Sequence, residues 1–281
     1  MTFINSFIYI LLYVLPKNIF SRFMGFLVGL KLSPQFALAV NKAFVKKFKI
    51  NMQEAEKPIE EYDSLQELFT RRLKPGVRPI DSSSDYIISP CDGYVSEAGV
   101  ITRGRLLQVK GKYISLSILL RSARLAERFE NGHFATIYLS PRDYHRFHVP
   151  LDGHIKETKY IPGTLWPVNT WAVSNIKNLF CQNERIISLI QSEQNSKILA
   201  HIAVGACVVG KIKLAYSSLS SNKGKMTVTQ ENQIPVKRGQ DLGLFSFGST
   251  IVLLFEPGLI DSLLVQPHSE IRMGQPLAKL S

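Results

Sequence analysis

Three short runs carry side chains whose types and spacing could do chemistry. Phe247-Gly248-Ser249-Thr250 precedes the apolar run 251–255, and Pro141-Arg142-Asp143-Tyr144-His145-Arg146-Phe147-His148 follows the apolar run 134–139. Ser89-Pro90-Cys91-Asp92-Gly93 also stands at the end of a β-rich run. Taken singly, each is bland. A serine after glycine is usually a turn residue, and Asp-Gly is a common turn signal. His145 and His148 are spaced for one face of a helix, but no third ligand lies at a familiar spacing, so no metal is expected. Taken together, Asp92, His148 and Ser249 offer a carboxylate, a base and a hydroxyl nucleophile. These are the parts of a proton relay, here in the chain order Asp, His, Ser. Spacing alone does not bring them into contact.

The elements that must position these runs fall into two regimes. Residues 36–48 show apolar positions at helical spacing, with Lys42 and Lys46 interleaved. Ser64 with Glu67 forms a capping-box pattern that predicts a helix through about Leu73, closed by Pro75-Gly76. From about Tyr86 the chain turns to short β-rich runs at 86–89, 106–109, 134–139, 202–209, 211–216, 225–228 and 251–255, with a helix expected over 116–130. The fold class is therefore α+β: helices first, then a mostly antiparallel β domain. Three regions are expected: basic amphipathic helices over 1–50, a helical connection over 51–84, and a β-rich catalytic domain over 85–281. Val236-Lys237-Arg238-Gly239-Gln240-Asp241-Leu242 echoes Ile271-Arg272-Met273-Gly274-Gln275-Pro276-Leu277. Both read as strand, glycine turn, strand, the grammar of lipoyl and biotinyl hairpins.

Composition narrows the partners. The chain has 281 residues, 45 % hydrophobic and 20 % charged, enough to build a core rather than remain disordered. Its net charge of +12 calls for an acidic partner. Lys17, Arg22, Lys31, Lys42, Lys46, Lys47 and Lys49 precede the first acid, Glu54, in a stretch rich in Phe, Leu, Ile and Val. Basic and apolar together point to an anionic membrane surface rather than to nucleic acid. The runs 3–15 and 23–30 are too short and too interrupted to span a bilayer. A signal peptide is not expected, since no cation precedes the apolar run. Cys91, Cys181 and Cys207 are odd in number and widely spaced, which speaks against a disulfide framework and fits a reducing cytoplasmic setting. Cys91 reads as a small buried side chain.

These residues resemble one family. Gly248-Ser249-Thr250, the run from Tyr138 through His148, and Pro90-Cys91-Asp92-Gly93 are similar to the motifs of bacterial, proteobacterial-type phosphatidylserine decarboxylases, which depend on a pyruvoyl group. Pro162-Gly163, Asn178-Leu179-Phe180, Asn183-Glu184-Arg185, Val204-Gly205-Ala206 and Gly274-Gln275-Pro276-Leu277 follow in family order, so the resemblance covers essentially the whole chain. Phe247 stands where the family usually has leucine, and Cys91 where a small residue such as alanine is common. The tail after the last Gly-Gln motif is short.

The resemblance implies a self-cleaving precursor. Asp92 would orient His148, which would take the proton of Ser249. The serine oxygen would attack the carbonyl of Gly248, where no side chain blocks the approach. An ester replaces the peptide bond, elimination leaves dehydroalanine at 249, and hydration with loss of ammonia leaves a covalent pyruvoyl group. The products are a β chain, 1–248, and an α chain, 249–281. The pyruvoyl derived from Ser249 would form a Schiff base with the serine amine of phosphatidylserine and take up the electrons left by carbon dioxide. His145 would then protonate the resulting carbanion, and hydrolysis of the Schiff base would release phosphatidylethanolamine. The implied place is the cytoplasmic face of the inner membrane, held peripherally by residues 1–50. A homodimer stays open.

Two other classes fit parts of the sequence. The hairpin echo suits a membrane-associated lipoyl-like adaptor, and Asp92, His148 and Ser249 suit a hydrolase that keeps its chain intact. Against the first stands the histidine run, and against the second the lack of a G-x-S-x-G elbow around Ser249.

Overall fold

The computed structural model describes residues 17–109, 111–207, 211–221, 224–229, 233–246 and 248–281. The expected apolar run 3–15 lies outside them. The apolar run after Ser249 becomes the strand Ser249–Phe255, buried along its whole length. It sits inside the largest sheet, hydrogen-bonded on one side to His133–Leu139 and on the other to Ile198–Gly205. Beyond Ile198–Gly205 come Arg185–Ser192 and Gly153–Ile161, and beyond His133–Leu139 come Gly93–Val100 and Ser269–Ile271. Every described pairing of this sheet is antiparallel, and a strand so deep in it is read as a nearly continuous apolar run.

Alternation along the strand divides the molecule into two cores. Ile251, Leu253 and Phe255 join Leu139, Ile137, Cys91, Phe147 and Phe245 on one face. Val252 and Leu254 join Phe134, Val204, Ile187 and Phe180 on the other. A small sheet of Ile212–Leu214, Asp241–Phe245 and Arg146–His148 covers the first face through Ile212, Phe147 and Phe245. The layering thus lays the histidine strand over the face to which Ser249 belongs.

Three described helices, Lys17–Gly29, Pro34–Phe48 and Leu65–Phe69, precede the sheet as expected, but two of the expected helices are shorter than the sequence suggests. Ser64 caps Leu65–Phe69 through its Oγ, which accepts the Glu67 N–H at 3.2 Å. This helix stops at Phe69 because the backbone of the next residues is used elsewhere: Glu56 N donates to Arg72 O and Lys74 N to Glu54 O. The expected helix over 116–130 is two helices, Leu116–Leu120 and Ala123–Arg128. Arg121 takes a left-handed φ of 51° and closes the first, and Ser122 caps the second through Leu125 N. Neither glycine nor proline marks this break.

The two echoing hairpins have the same build. Gly239 (φ 80°) and Gly274 (φ 89°) form the turns. In each, a glutamine side chain closes the turn: Gln240 accepts from Lys237 N at 3.0 Å and Gln275 from Arg272 N at 2.8 Å. Both glycines press on the segment Pro79-Ile80, leaving no room for a Cβ.

In the N-terminal region, Lys17–Gly29 and Pro34–Phe48 are helical. Among the described residues, no helix is long and apolar enough to cross a membrane.

Candidate active site

Ser249 is pinned from both sides. Its register partners are Leu139 and Gly205, and Asn183 Nδ2 donates to Gly205 O at 2.8 Å. The Asn183-Glu184-Arg185 run is therefore structural: Arg185 donates to the carbonyls of Leu119, Ile118, Cys181 and Asn183 and knits the neighbouring loops together. The Ser249 hydroxyl is fully buried and has no hydrogen-bond partner among the described residues. A buried hydroxyl left unpaired costs free energy, and such groups concentrate where chemistry happens. Gly248 has a positive φ of 26°, a conformation that favours glycine.

The histidine run is folded by its own side chains. Ser140 N and Oγ both donate to Asp143 Oδ2 at 2.7 Å, which turns the chain after His133–Leu139. His145 is buried with its ring 3.9 Å from that of Phe69. Its Nδ1 lies 3.0 Å from Asp143 O. A carbonyl only accepts, so Nδ1 carries the proton. Burial above all, with the charge of Arg71 adding to it, lowers the His145 pKa to about 3, so the ring is neutral. The lone pair then sits on Nε2, which is buried and has no partner among the described residues.

His148 is held differently. Its Nδ1 lies 2.9 Å from Gly239 O and its Nε2 3.2 Å from the Tyr144 hydroxyl. By the same reasoning Nδ1 carries the proton and Tyr144 donates to Nε2. Burial lowers the His148 pKa and pushes the Tyr144 phenol up to about 12, which keeps that donor protonated.

Asp92 is gripped by Arg78: Nε lies 2.9 and 3.0 Å from its two oxygens and Nη2 2.6 Å from Oδ2. Met273 N donates to Oδ1 at 2.9 Å, and Arg78 also reaches Glu54 at 2.8 Å. Asp92, Arg78, Asp143, Tyr144 and Arg71 line one cavity of about 430 Å³. The structure thus gathers Asp92 and Tyr144, the residue that touches His148, around a shared space. Among the described residues, no hydrogen bond joins Asp92, His148, His145 or Ser249 to one another. On the other face of the strand, Thr250, Tyr138, Val168 and Phe180 line a more apolar cavity of about 340 Å³.

Sequence reading did not single out Tyr144, Arg78 or Arg71. Tyr144 had a signal, since it precedes His148 by four residues inside the histidine run. Arg78 and Arg71 had none: they reach their partners from the connecting segment through tertiary contacts.

A buried serine after a left-handed glycine, beneath the layer that carries the histidine run, makes a candidate serine site on an antiparallel β fold. Comparison with known proteins gives the family. The phosphatidylserine decarboxylase family model matches residues 65–279. A phosphatidylserine decarboxylase proenzyme of Shewanella halifaxensis is 39 % identical over 279 residues, covering 95 % of this chain and 96 % of that protein. One of Myxococcus xanthus is 39 % identical over 276 residues, covering 96 % and 97 %. The chain belongs to the phosphatidylserine decarboxylase family, whose members are carboxy-lyases.

Proposed function

We propose that this chain cleaves itself between Gly248 and Ser249 and then converts phosphatidylserine to phosphatidylethanolamine and carbon dioxide. The observation that carries the reading is the Ser249 hydroxyl: buried, unpartnered and directly after a glycine in a left-handed conformation. The relatives are named as proenzymes of this activity. In this reading the Ser249 oxygen attacks the Gly248 carbonyl, and His148, oriented by Asp92, takes its proton. That role requires His148 Nε2 to exchange the Tyr144 hydroxyl for Ser249.

Position 249 also fits a covalent pyruvoyl group. The unpaired oxygen lies in a dry site, and both neighbouring strands hold the backbone beyond it in place. Once formed, the group supplies a ketone that condenses with the substrate amine and accepts the electrons left by decarboxylation. His145, the candidate proton donor for that step, is a proton acceptor at rest, so it must take up a proton before giving one.

The first described helix fits an anionic bilayer surface. Ile19, Phe23, Phe26, Leu27 and Leu30 are exposed at spacings that gather them on one helical face, within a segment of seven cations. We place the enzyme peripherally on the cytoplasmic face of the inner membrane. The β chain 1–248 and α chain 249–281 stay in one fold, with pairing into a homodimer still open. The twin glycine hairpins fit a lipoyl-like ancestry.

The test is denaturing intact-mass spectrometry of the purified protein beside Ser249→Ala, with phosphatidylserine turnover assayed in parallel. Two fragments meeting at Gly248–Ser249 in the native chain alone, with turnover, are expected. A native chain that stays whole while folded would remove the reading.

A further inference from the structure

Arg71 is 5 % exposed, yet no carboxylate lies within ion-pair distance of it among the described residues. Its Nη2 donates to the carbonyls of Arg142 and Asp143, at 3.1 and 3.4 Å. Its Nε and Nη1 are buried and have no hydrogen-bond partner among the described residues. A buried guanidinium without a paired carboxylate is costly and is seldom kept without a use. The Tyr62 hydroxyl is likewise buried, with no partner in hydrogen-bond geometry among the described residues, and only the Lys57 backbone near it. Both residues line a cavity of about 290 Å³ together with Thr70, Lys57, Arg72 and Arg146, and with the carboxylates of Glu56 and Glu67. The other cations there have their own acids: Lys57 pairs with Glu67, and Arg72 and Arg146 share Asp241. Among the described residues Arg71 alone of these has no ion pair of its own, although the carboxylates of Asp92, Glu54 and Asp143 act on it from farther off. Arg71 lies two residues after Phe69, whose ring lies against His145, so the cavity adjoins the histidine run.

We propose that Arg71, with the Tyr62 hydroxyl, binds the phosphodiester of the phospholipid substrate while the serine headgroup reacts at position 249. The assignment rests on the decarboxylase reading. Phosphodiester and carboxylate are the two anions of the substrate, and chemistry separates them. The carboxylate must leave as neutral carbon dioxide, so a cation holding it would stabilise the ground state against the reaction. The phosphodiester keeps its charge throughout, so a cation on it lowers KM and leaves kcat nearly unchanged. Guanidinium N–H groups are well suited to several phosphate oxygens at once.

The test uses the processed enzyme and monomeric dihexanoyl phosphatidylserine, so that membrane adsorption plays no part. Arg71→Gln is expected to raise KM by about tenfold to a hundredfold, the scale of a lost charge-assisted hydrogen bond, with kcat within about threefold. Arg71→Lys should recover part of the loss. Dihexanoyl phosphatidylglycerol, which has the phosphodiester but neither amine nor carboxylate, should compete with substrate on the native enzyme and at least tenfold more weakly on Arg71→Gln. Inorganic phosphate is the second probe: if it competes as well as the lipid, the site takes free phosphate and the lipid assignment falls. A fall in kcat at unchanged KM, or equal inhibition of both enzymes by phosphatidylglycerol, overturns the proposal. Should Arg71→Gln fail to fold, the same lipid must still raise the thermal midpoint of the uncut Ser249→Ala protein, and Arg71→Lys must reduce that rise; no shift overturns the proposal. If the native chain neither cuts itself nor decarboxylates, the decarboxylase reading fails, while the thermal shift still reports on the anion site.

Discussion

The Arg78 guanidinium clasps the Asp92 carboxylate with contacts of 2.6–3.0 Å, and the two side chains are only 7 % and 9 % exposed. The pair ties the connecting segment to the loop before strand Gly93–Val100, and Glu54 extends it. Breaking one side of a buried pair leaves the other charge unpaired, at a cost of about 3–5 kcal/mol. Arg78→Met in a Ser249→Ala background should lower unfolding stability by about that much, read from the denaturant midpoint. Arg78→Lys keeps the charge but loses the planar fork. In the Ser249-containing chain it should slow self-cleavage by roughly tenfold or more, since Asp92 is then poorly fixed. A native cleavage rate with Arg78→Lys would mean that the fork does not position Asp92.

Acid should weaken the fold through its buried histidines. Burial lowers the pKa of both His145 and His201 to about 3. Above an unfolded-state pKa of about 6.5, both are neutral whether folded or not, and nothing is lost. Below it, the unfolded chain takes up protons that the folded chain refuses. Each histidine then removes about 1.4 kcal/mol of stability per pH unit until the folded pKa is reached. His201 stacks near Phe147, and its Nε2 has no partner among the described residues. His201→Leu should therefore give a shallower loss of stability between about pH 6 and 4, measured as midpoint against pH. An unchanged slope would show that His201 takes up its proton while folded.

Thr250 offers a gain. Its hydroxyl is buried without a partner on the face opposite Ser249, and valine has nearly the same shape. Removing an unsatisfied buried hydroxyl recovers about 1 kcal/mol or more. Thr250→Val in the Ser249→Ala background should raise the denaturant midpoint, and a lower midpoint would point to a water or side chain that satisfies this group in solution.

What could be read in the sequence, and what could not, follows the range of the interactions. The strand Ser249–Phe255 announces itself by five apolar residues in a row, and the Ser64 cap by a three-residue spacing. The twin hairpins show because each turn is closed within four residues by its own glutamine. Arg121 breaks a helix with no local signal, since its left-handed φ is imposed by packing rather than by residue type. The same holds for the site. Ser249, His145, His148 and Asp92 stand out as residue types in motifs, whereas the partners that set their states do not. Gly239 O, which fixes the His148 tautomer, lies 91 residues away in the chain, and Arg78, which holds Asp92, lies 14 away with no motif linking them.

The exposed face of Lys17–Gly29 gives the last prediction. Phe23 and Phe26 are 58 % and 63 % exposed, with Ile19, Leu27 and Leu30 beside them. Sequestering such rings in a bilayer gains roughly 25 cal/mol for each Å² removed from water, and each cation near an anionic leaflet adds about 1 kcal/mol. Phe23→Ser with Phe26→Ser should therefore cut partitioning onto vesicles containing anionic lipid by at least tenfold, measured by sedimentation. Self-cleavage should proceed as before, because neither ring lies in the site. Salt should weaken the remaining binding of the variant more completely than that of the native protein, since charge would then be the main attraction left and salt screens it. If the double variant sediments with vesicles as well as the native chain does, this face is not what meets the membrane.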